Sequence, residues 1–364
     1  PLAVSEPADD ISATPYLIKD PVRVARRLAP LVGISEAEVV QRLARRDTGF
    51  VYLARRLPAA KADRIEKLKI EGIDVTPGSR RTYPRSLLAA QVIGATDVDG
   101  KGLFGLEYGM DKVLHGRDGA RSSVLDGGRQ AIEMRDVRTA LPGKSLGVTI
   151  DAEVQQRTED VLAGIGQTYR PKGATAIVME PHTGAVLAMA NWPRIDANHP
   201  GQAPAYATHN RAVDFPYEPG STFKAFTVAG ALEDGRVTPT TSFNLPPTIQ
   251  MADRVIGESH ARGWETMTTA DILAKSSNVG AITIGQRLGA TRRLAARRFD
   301  QWVRRFGFGR RTGLGFPGEE QGLALALKNY SGSSMGNLPI GQGELVTPIQ
   351  MATAYSAIAN GGRA

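Results

Sequence analysis

The sequence predicts an α+β protein with two domains. Its 364 residues exceed one ordinary domain, and 41% of them are hydrophobic, which is enough for a large core. In the first part, short helix-like and strand-like patterns alternate between polar breaks, whereas the patterns after residues 146–150 are more apolar. There, two apolar runs separated by a turn predict an antiparallel hairpin. We therefore place a domain boundary near residues 146–150.

Short helices and strands alternate in the first predicted domain. Ser35, followed three residues later by Glu38, has the spacing of a capping box at the start of a helix. The predicted helices cover residues 22–32, 35–44 and 59–67, and the predicted strands cover residues 50–54 and 72–76.

The second predicted domain is richer in helices. Residues 151–165 have an amphipathic helical pattern, and the apolar runs 174–179 and 185–190 flank the hairpin turn. Gly235 is expected to end the helix that follows Lys224. Further helices are predicted at residues 225–234, 269–274, 281–288, 294–305 and 346–355.

A serine and a lysine stand at the start of one of these helices. Pro219 and Gly220 break the preceding structure, Ser221 follows at once, and Lys224 comes three residues later. If Ser221 opens the helix, the two side chains lie on one face, where hydroxyl and amine can touch. A buried lysine beside a serine can lose its proton and act as its base. Alone, however, the pattern is far more often an ordinary capped helix.

A second polar cluster lies between two later helices. Ser276 and Asn278 occupy the break between the helix at 269–274 and the helix at 281–288. Read alone, they are helix-capping residues. Together with Ser221 and Lys224, in this order, they form a set known from acyl-transfer enzymes, in which a Ser/Lys pair is flanked by a second serine and an amide.

Composition excludes several other kinds of site. The absence of cysteine excludes disulfides, thiol catalysis and cysteine-ligated metals, and the five histidines never occur at H-x-x-x-H spacing. The net charge of +8 first suggests nucleic acid, but the arginines are scattered and aromatic residues make up only 6%. We therefore expect no nucleic-acid partner and no metal. A basic surface facing anionic lipid or an anionic substrate explains the charge.

Three partial ligand-binding motifs are incomplete. Residues 97–100 resemble part of a calcium loop, but apolar residues occupy two of its ligand positions. Residues 143–145 resemble the end of a phosphate-binding loop, but Arg138 stands where a glycine is required. Residues 313–318 match a dinucleotide fingerprint only formally, since Pro317 interrupts it and no strand precedes it. We therefore expect no cofactor.

The ordered motifs resemble those of class B penicillin-binding proteins, the monofunctional peptidoglycan D,D-transpeptidases. The resemblance covers nearly the whole chain and implies a penicillin-binding transpeptidase fold at 149–364, with an antiparallel sheet flanked by helices. It also implies an elongated, mixed α/β pedestal of the dimerisation type at 1–148. The matching segments are Arg81-x-Tyr83-Pro84, Gly94, Gly102-x-x-Gly105-Leu106-Glu107, Thr149-Ile150-Asp151 with Gln155, Tyr217 to Lys224, Ser276 to Gly280, and Gly341-x-Gly343 with Thr347-Pro348-x-Gln350.

The resemblance has one internal departure and two expected continuations. The third motif of the family, Lys-Thr-Gly or Lys-Ser-Gly, does not occur in this sequence, and Arg311-Thr312-Gly313 lies upstream of its expected place. We expect this motif beyond Ala364 and a single membrane anchor before Pro1, which implies a catalytic domain outside the bacterial inner membrane. Glu218 in the nucleophile motif favours the cell-division branch over the elongation branch.

The resemblance also implies a role for each site residue. Ser221 would attack the D-Ala-D-Ala bond of a stem peptide, and Lys224 would take its proton. Ser276 would relay that proton to the leaving D-Ala, and Asn278 would bind the substrate amide and hold Lys224. The Ser221 N–H would be one oxyanion donor, and the third-motif strand would supply the other. Substrate would therefore contact Ser221, Ser276 and Asn278.

The implied partners belong to cell-wall synthesis. They are peptidoglycan stem peptides or their lipid-linked precursor, β-lactam antibiotics, a membrane glycosyltransferase of the SEDS type, and other division or elongation proteins. Two alternatives remain open at this point. One is a protein that hydrolyses or senses β-lactams, although no E-x-x-L-N segment is found. The other is an inactive scaffold of the division machinery.

Overall fold

The computed structural model describes residues 1–125 and 131–363, which form two compact units. The first consists of the described part of Pro1–Leu146 together with Ile195–Pro204, and the second consists of Gly147–Arg194 and the described residues from Ala205 onward. The sequence places residues 195–204 in the second domain. They pack with the first unit because the Ala197 N–H bonds the Ser86 carbonyl, and the Asn198 amide bonds both backbone groups of Tyr83.

The first unit contains a three-stranded antiparallel sheet covered by helices. The order is β2-β1-β3, with β1 (Val4–Ala13) between β2 (Val51–Pro58) and β3 (Ile73–Thr82). Helices α1 (Pro21–Val32), α2 (Glu36–Leu43) and α3 (Ala59–Glu66) contribute to its apolar core. Further elements follow: α4 (Ala90–Ile93), β4 (Ala95–Thr96), β5 (Gly102–Phe104), α5 (Gly105–Gly109), α6 (Asp111–Leu114), β6 (Ala120–Leu125) and β7 (Ala131–Arg138).

The predicted elements of this unit are confirmed, with two differences. The central strand β1 was not predicted, because its polar sequence hides a strand whose pairing on both sides is set by long-range contacts. The capping box of α2 forms only in part. Ser35 Oγ accepts a hydrogen bond from the Glu38 N–H, but the Glu38 carboxylate pairs with Arg42.

Two glycines in the predicted pedestal motifs pack backbone against backbone. A Cβ on Gly94 would lie 1.8 Å from the Phe104 carbonyl oxygen, and one on Gly102 would lie 2.1 Å from the Glu107 carbonyl oxygen. Beside them, the Arg81 guanidinium donates to the Glu107 carboxylate at 2.7 Å, and Glu107 is only 3% exposed. The segment from Arg81 to Glu107 therefore has a structural role. Because Glu107 is buried, its negative charge has to be paired with the positive charge of Arg81.

The second unit combines helices with short antiparallel strand pairs, which confirms the predicted α+β class. Its helices are α7 (Ala152–Tyr169), α8 (Arg211–Asp214), α9 (Lys224–Glu233), α10 (Thr269–Ala274), α11 (Asn278–Arg287), α12 (Arg292–Arg305), α13 (Ser334–Asn337) and α14 (Pro348–Ala359). Its strands pair as β8 (Ala174–Met179) with β9 (Val186–Trp192), β10 (Ser242–Leu245) with β13 (Glu265–Thr268), and β11 (Thr248–Met251) with β12 (Arg254–Gly257). The hairpin β8–β9 and the five long helices are confirmed to within a few residues.

Among the described residues, no helix combines the length and hydropathy needed to cross a membrane.

An unpaired carboxyl group is buried in the second unit. Glu344 is 1% exposed, and within the described residues neither of its carboxylate oxygens has a hydrogen-bond partner. Burial raises the pKa of Glu344 to about 8; nearby Arg304 opposes this shift and Asp300 adds to it. A carboxyl group in such a place is more stable in its neutral form.

We predict that Gly94→Ala destabilises the first unit much more than Gly33→Ala. Both glycines have positive φ, but a Cβ at Gly33 would meet no atom within 4 Å. Gly33→Ala should therefore cost about 1–2 kcal/mol, and Gly94→Ala about 3 kcal/mol or more. Hydrogen exchange of first-unit peptides measures both effects, and equal losses would contradict the close packing at Gly94.

We predict that Glu344→Gln removes a pH dependence of stability. Because the folded-state pKa of Glu344 is raised, its stabilising protonation is complete below the unfolded pKa near 4.5 and is lost as pH rises towards 8. The wild type should therefore lose stability relative to the variant over this window, by up to about 5 kcal/mol. Urea unfolding of both proteins at several pH values measures the difference between their free energies of unfolding. This difference should not change with pH if Glu344 ionises normally.

Candidate active site

The candidate nucleophile lies on a short turn before α9. Ser221 is exposed and belongs to a 3-10 turn, Gly220–Phe223, and the α-helix begins only at Lys224. The expectation that Ser221 opens the α-helix is thus wrong by three residues. Phe223, between them, is fully buried against Phe226 and Phe308, at ring-centroid distances of 5.4 and 5.0 Å. Its burial fixes the turn so that Ser221 faces outward.

The candidate base is a buried lysine whose amine is fully engaged. Lys224 is 1% exposed, and its Nζ donates to the Ser276 carbonyl, to Ser276 Oγ at 3.0 Å and to Asn278 Oδ1 at 2.7 Å. Burial lowers the pKa of Lys224 to about 8, and the negative charge of Glu258 opposes this shift. A substantial fraction of the amine is therefore neutral near pH 8, as a base requires.

Ser221 and Lys224 are one turn apart but not hydrogen-bonded. In residues 1–125 and 131–363, no hydrogen bond of Ser221 Oγ is found, since the Lys224 amine already directs three donors at Ser276 and Asn278. Contacts between a nucleophile and its base are often long in a free enzyme and tighten when substrate binds. The structure thus brings Lys224, Ser276 and Asn278 together, and leaves Ser221 beside them.

The helix-capping explanation for Ser276 and Asn278 is wrong. The cap of α11 is Ser277, whose Oγ accepts the Gly280 N–H at 2.9 Å. Ser276 has a left-handed backbone, with φ of +54°, and Asn278 is the first helical residue. The cap is thus provided by the residue between them, which leaves both neighbouring side chains directed at Lys224.

The Gly341–Gly343 segment supports the nucleophile turn. The Gly220 N–H bonds the Gly341 carbonyl at 2.9 Å, and the Gly343 N–H bonds Glu218 Oε1 at 2.8 Å. A Cβ on Gly341 would lie 2.2 Å from the Gly220 carbonyl oxygen. Only glycine fits there, which gives a physical reason for this part of the motif.

The Arg311-Thr312-Gly313 segment has a local structural role. The Thr312 N–H and hydroxyl both donate to Glu319 Oε1, at 2.7 and 2.6 Å, and Gly313 has a φ of +90°. The segment is a loop and forms no sheet-edge strand.

In the described part of the chain, no group of three or more His, Asp or Glu side chains could hold a metal ion.

Sequence reasoning missed one half-buried acidic residue of this region, Glu258. Glu258 follows β12 and accepts hydrogen bonds from the Ser277 hydroxyl and the Asn278 N–H, both at 2.6 Å. No local pattern identifies it, since a single glutamate in the polar run 257–263 is normally a surface residue.

Comparisons with known proteins match both parts of the chain to known domains. Residues 174–364 match the penicillin-binding protein transpeptidase domain, and residues 1–148 match the penicillin-binding protein dimerisation domain. Penicillin-binding protein PbpB of Mycolicibacterium smegmatis is 35% identical over 93% of this chain and 52% of its own length. Peptidoglycan D,D-transpeptidase FtsI of Escherichia coli is 31% identical over 100% of this chain and 61% of its own length.

Solved structures show the same likeness. Penicillin-binding protein 3 of Mycobacterium tuberculosis, complexed with aztreonam, has a TM-score of 0.69 and 35% identity over 78% of this chain and 59% of its own. A peptidoglycan synthetase of Bifidobacterium adolescentis has a TM-score of 0.73 and 27% identity, over 99% of this chain and 69% of its own. The chain spans about half to three fifths of the length of these curated relatives. It belongs to the class B penicillin-binding proteins, with a dimerisation domain followed by a transpeptidase domain.

Proposed function

We propose that this chain carries the acylation machinery of a serine-type peptidoglycan D,D-transpeptidase. The observation that carries the proposal is the buried Lys224 amine, which Ser276 and Asn278 hold one turn away from an exposed Ser221. The similarity to D,D-transpeptidases supports it. Its substrates are the D-Ala-D-Ala ends of stem peptides.

The reaction begins with acylation. Ser221 Oγ attacks the carbonyl carbon of the D-Ala-D-Ala bond as neutral Lys224 takes its proton. Ser276 then gives its own proton to the departing D-Ala nitrogen and receives the proton held by Lys224. Asn278 holds Lys224 through Oδ1 and binds the substrate amide. The amine of a second stem peptide then attacks the ester, which forms the cross-link; Lys224 takes the proton of the amine and returns it to the departing Ser221 Oγ. The Ser221 N–H at the start of the turn stabilises the oxyanion.

The same serine is the proposed target of β-lactams. Penicillin-binding protein 3 of Mycobacterium tuberculosis has been solved with aztreonam and is 35% identical to this chain where the two overlap. We also propose that the catalytic domain works outside the bacterial inner membrane, in cell division, beside a glycosyltransferase of the SEDS type. The proposed domain limits are 1–148 and 149–364.

We predict that fluorescent penicillin forms a stable adduct at Ser221 of the full-length protein. Ser221→Ala should abolish labelling, whereas Thr222→Ala, which removes the neighbouring hydroxyl and its hydrogen bond to the Pro219 carbonyl, should still be labelled. Intact-mass and peptide spectra locate the adduct. Rapid loss of the label would indicate a β-lactam hydrolase, and no label on folded protein would indicate an inactive scaffold; either result contradicts the proposal.

We predict that acylation slows as pH falls below about 8. The base must be neutral, and burial sets the pKa of Lys224 to about 8. The second-order acylation rate constant, k2/K, should therefore fall about tenfold per pH unit on the acidic side and level off above it. Stopped-flow acylation between pH 6 and 10 measures the profile, and a constant k2/K from pH 6 to 9 would rule out Lys224 as the base.

A further inference from the structure

Glu258 holds the start of the helix that carries Asn278. Its side chain is only 9% exposed. Glu258 Oε1 accepts from the Ser277 hydroxyl at 2.6 Å and from the Val279 N–H at 3.3 Å, and Oε2 accepts from the Asn278 N–H at 2.6 Å. A carboxylate in this position satisfies N–H groups that the first helical turn leaves unpaired.

The residue before Glu258 fixes the Asn278 side chain. Asn278 Nδ2 donates to the Gly257 carbonyl at 2.9 Å, so that Oδ1 is the atom left to accept from Lys224 Nζ at 2.7 Å. Gly257 and Glu258 thus bind Asn278 through its amide and its backbone together. Neither the position nor the rotation of this amide depends on Lys224 alone.

Glu258 is itself held by an arginine. Arg262 Nη2 donates to Glu258 Oε1 at 2.7 Å, and its Nη1 donates to the carbonyls of Leu245 at 3.2 Å and Gly263 at 2.9 Å. The Arg262 side chain is 15% exposed. A charge pair with this little solvent and this many additional hydrogen bonds is fixed in one geometry.

We propose that Glu258 is a positioning residue for acylation, which holds the Ser276–Asn278 turn so that its acceptors meet the Lys224 amine. The proposal rests on the proposed function. Glu258 does not contact Ser221, and it acts through Asn278 and Ser277. Its two oxygens serve four donors, those of Ser277, Asn278, Val279 and Arg262, and an amide in its place offers one acceptor oxygen only.

Glu258 and Arg262 also affect the electrostatic potential at the Lys224 amine, and their charges act in opposite directions. The negative Glu258 favours the charged amine and raises the pKa of Lys224 against the effect of burial. The positive Arg262 partly balances that charge. Removing the charge of Glu258 should therefore lower the pKa of Lys224, and removing the charge of Arg262 should raise it. A residue that held the turn by packing alone, without a charge, would shift neither pKa.

The experiment measures k2/K, the second-order rate constant of acylation by labelled penicillin, between pH 6 and pH 10. It compares the full-length wild-type protein with its Glu258→Gln, Glu258→Asp and Glu265→Gln variants. Glu265 is the matched control, because its carboxylate pairs with the exposed Lys275 side chain and, in the described residues, accepts no hydrogen bond from the Ser276–Asn278 turn. We expect Glu258→Gln to lower the plateau about 10- to 100-fold and to move the acidic limb to lower pH. Glu258→Asp should recover part of the rate with the limb in place, and Glu265→Gln should match wild type. A folded Glu258→Gln protein with wild-type rate and profile overturns the proposal.

A second variant keeps the test decisive if Glu258→Gln does not fold. Arg262→Gln should move the acidic limb to higher pH, and an unmoved limb overturns the proposal. If wild type is not acylated at Ser221, the proposed function fails separately. In that case, NMR titration of 13Cε-lysine-labelled protein measures the pKa of Lys224 directly. A pKa of Lys224 below the wild-type value in Glu258→Gln, or above it in Arg262→Gln, supports the positioning role. Unchanged values overturn it.

Discussion

The burial of the Lys224 amine is the constraint on which the site depends. An ammonium group with almost no solvent contact is unfavourable unless hydrogen bonds compensate it, and the same burial favours the neutral amine that a base requires. One turn, Ser276–Asn278, supplies all three acceptors. The turn can do so because Ser277 provides the helix cap and Glu258 binds the N–H groups behind it.

The nucleophile is organised from the other side. Phe223 anchors the turn in a cluster of phenylalanines, while Gly220 and Gly341 approach each other so closely that a Cβ would not fit at Gly341. The exposed hydroxyl of Ser221 and the buried amine of Lys224 therefore occupy neighbouring positions with opposite surroundings. A reactive group that substrate must reach and a base that water must not reach need this separation.

Local patterns predicted what local geometry determines. Interactions between neighbours in sequence determine most helices, the three-residue spacing of Ser221 and Lys224, and the Ser276–Asn278 pattern. Sequence analysis therefore found these motifs and predicted the helix bounds to within a few residues. Strand β1 and Glu258 could not be predicted in this way, because their roles arise from partners far along the chain. The 3-10 turn at Ser221 was missed for the same reason, since the distant Gly341 segment binds it.

The protonation of Lys224 tests this account most directly. Wild-type protein labelled with 13Cε-lysine gives one resonance per lysine, and the signal lost in Lys224→Arg identifies Lys224. The account predicts that this carbon titrates with a pKa of about 8. A pKa near 10.4, the value of a solvated lysine, would show that the amine is charged during acylation and would contradict the account.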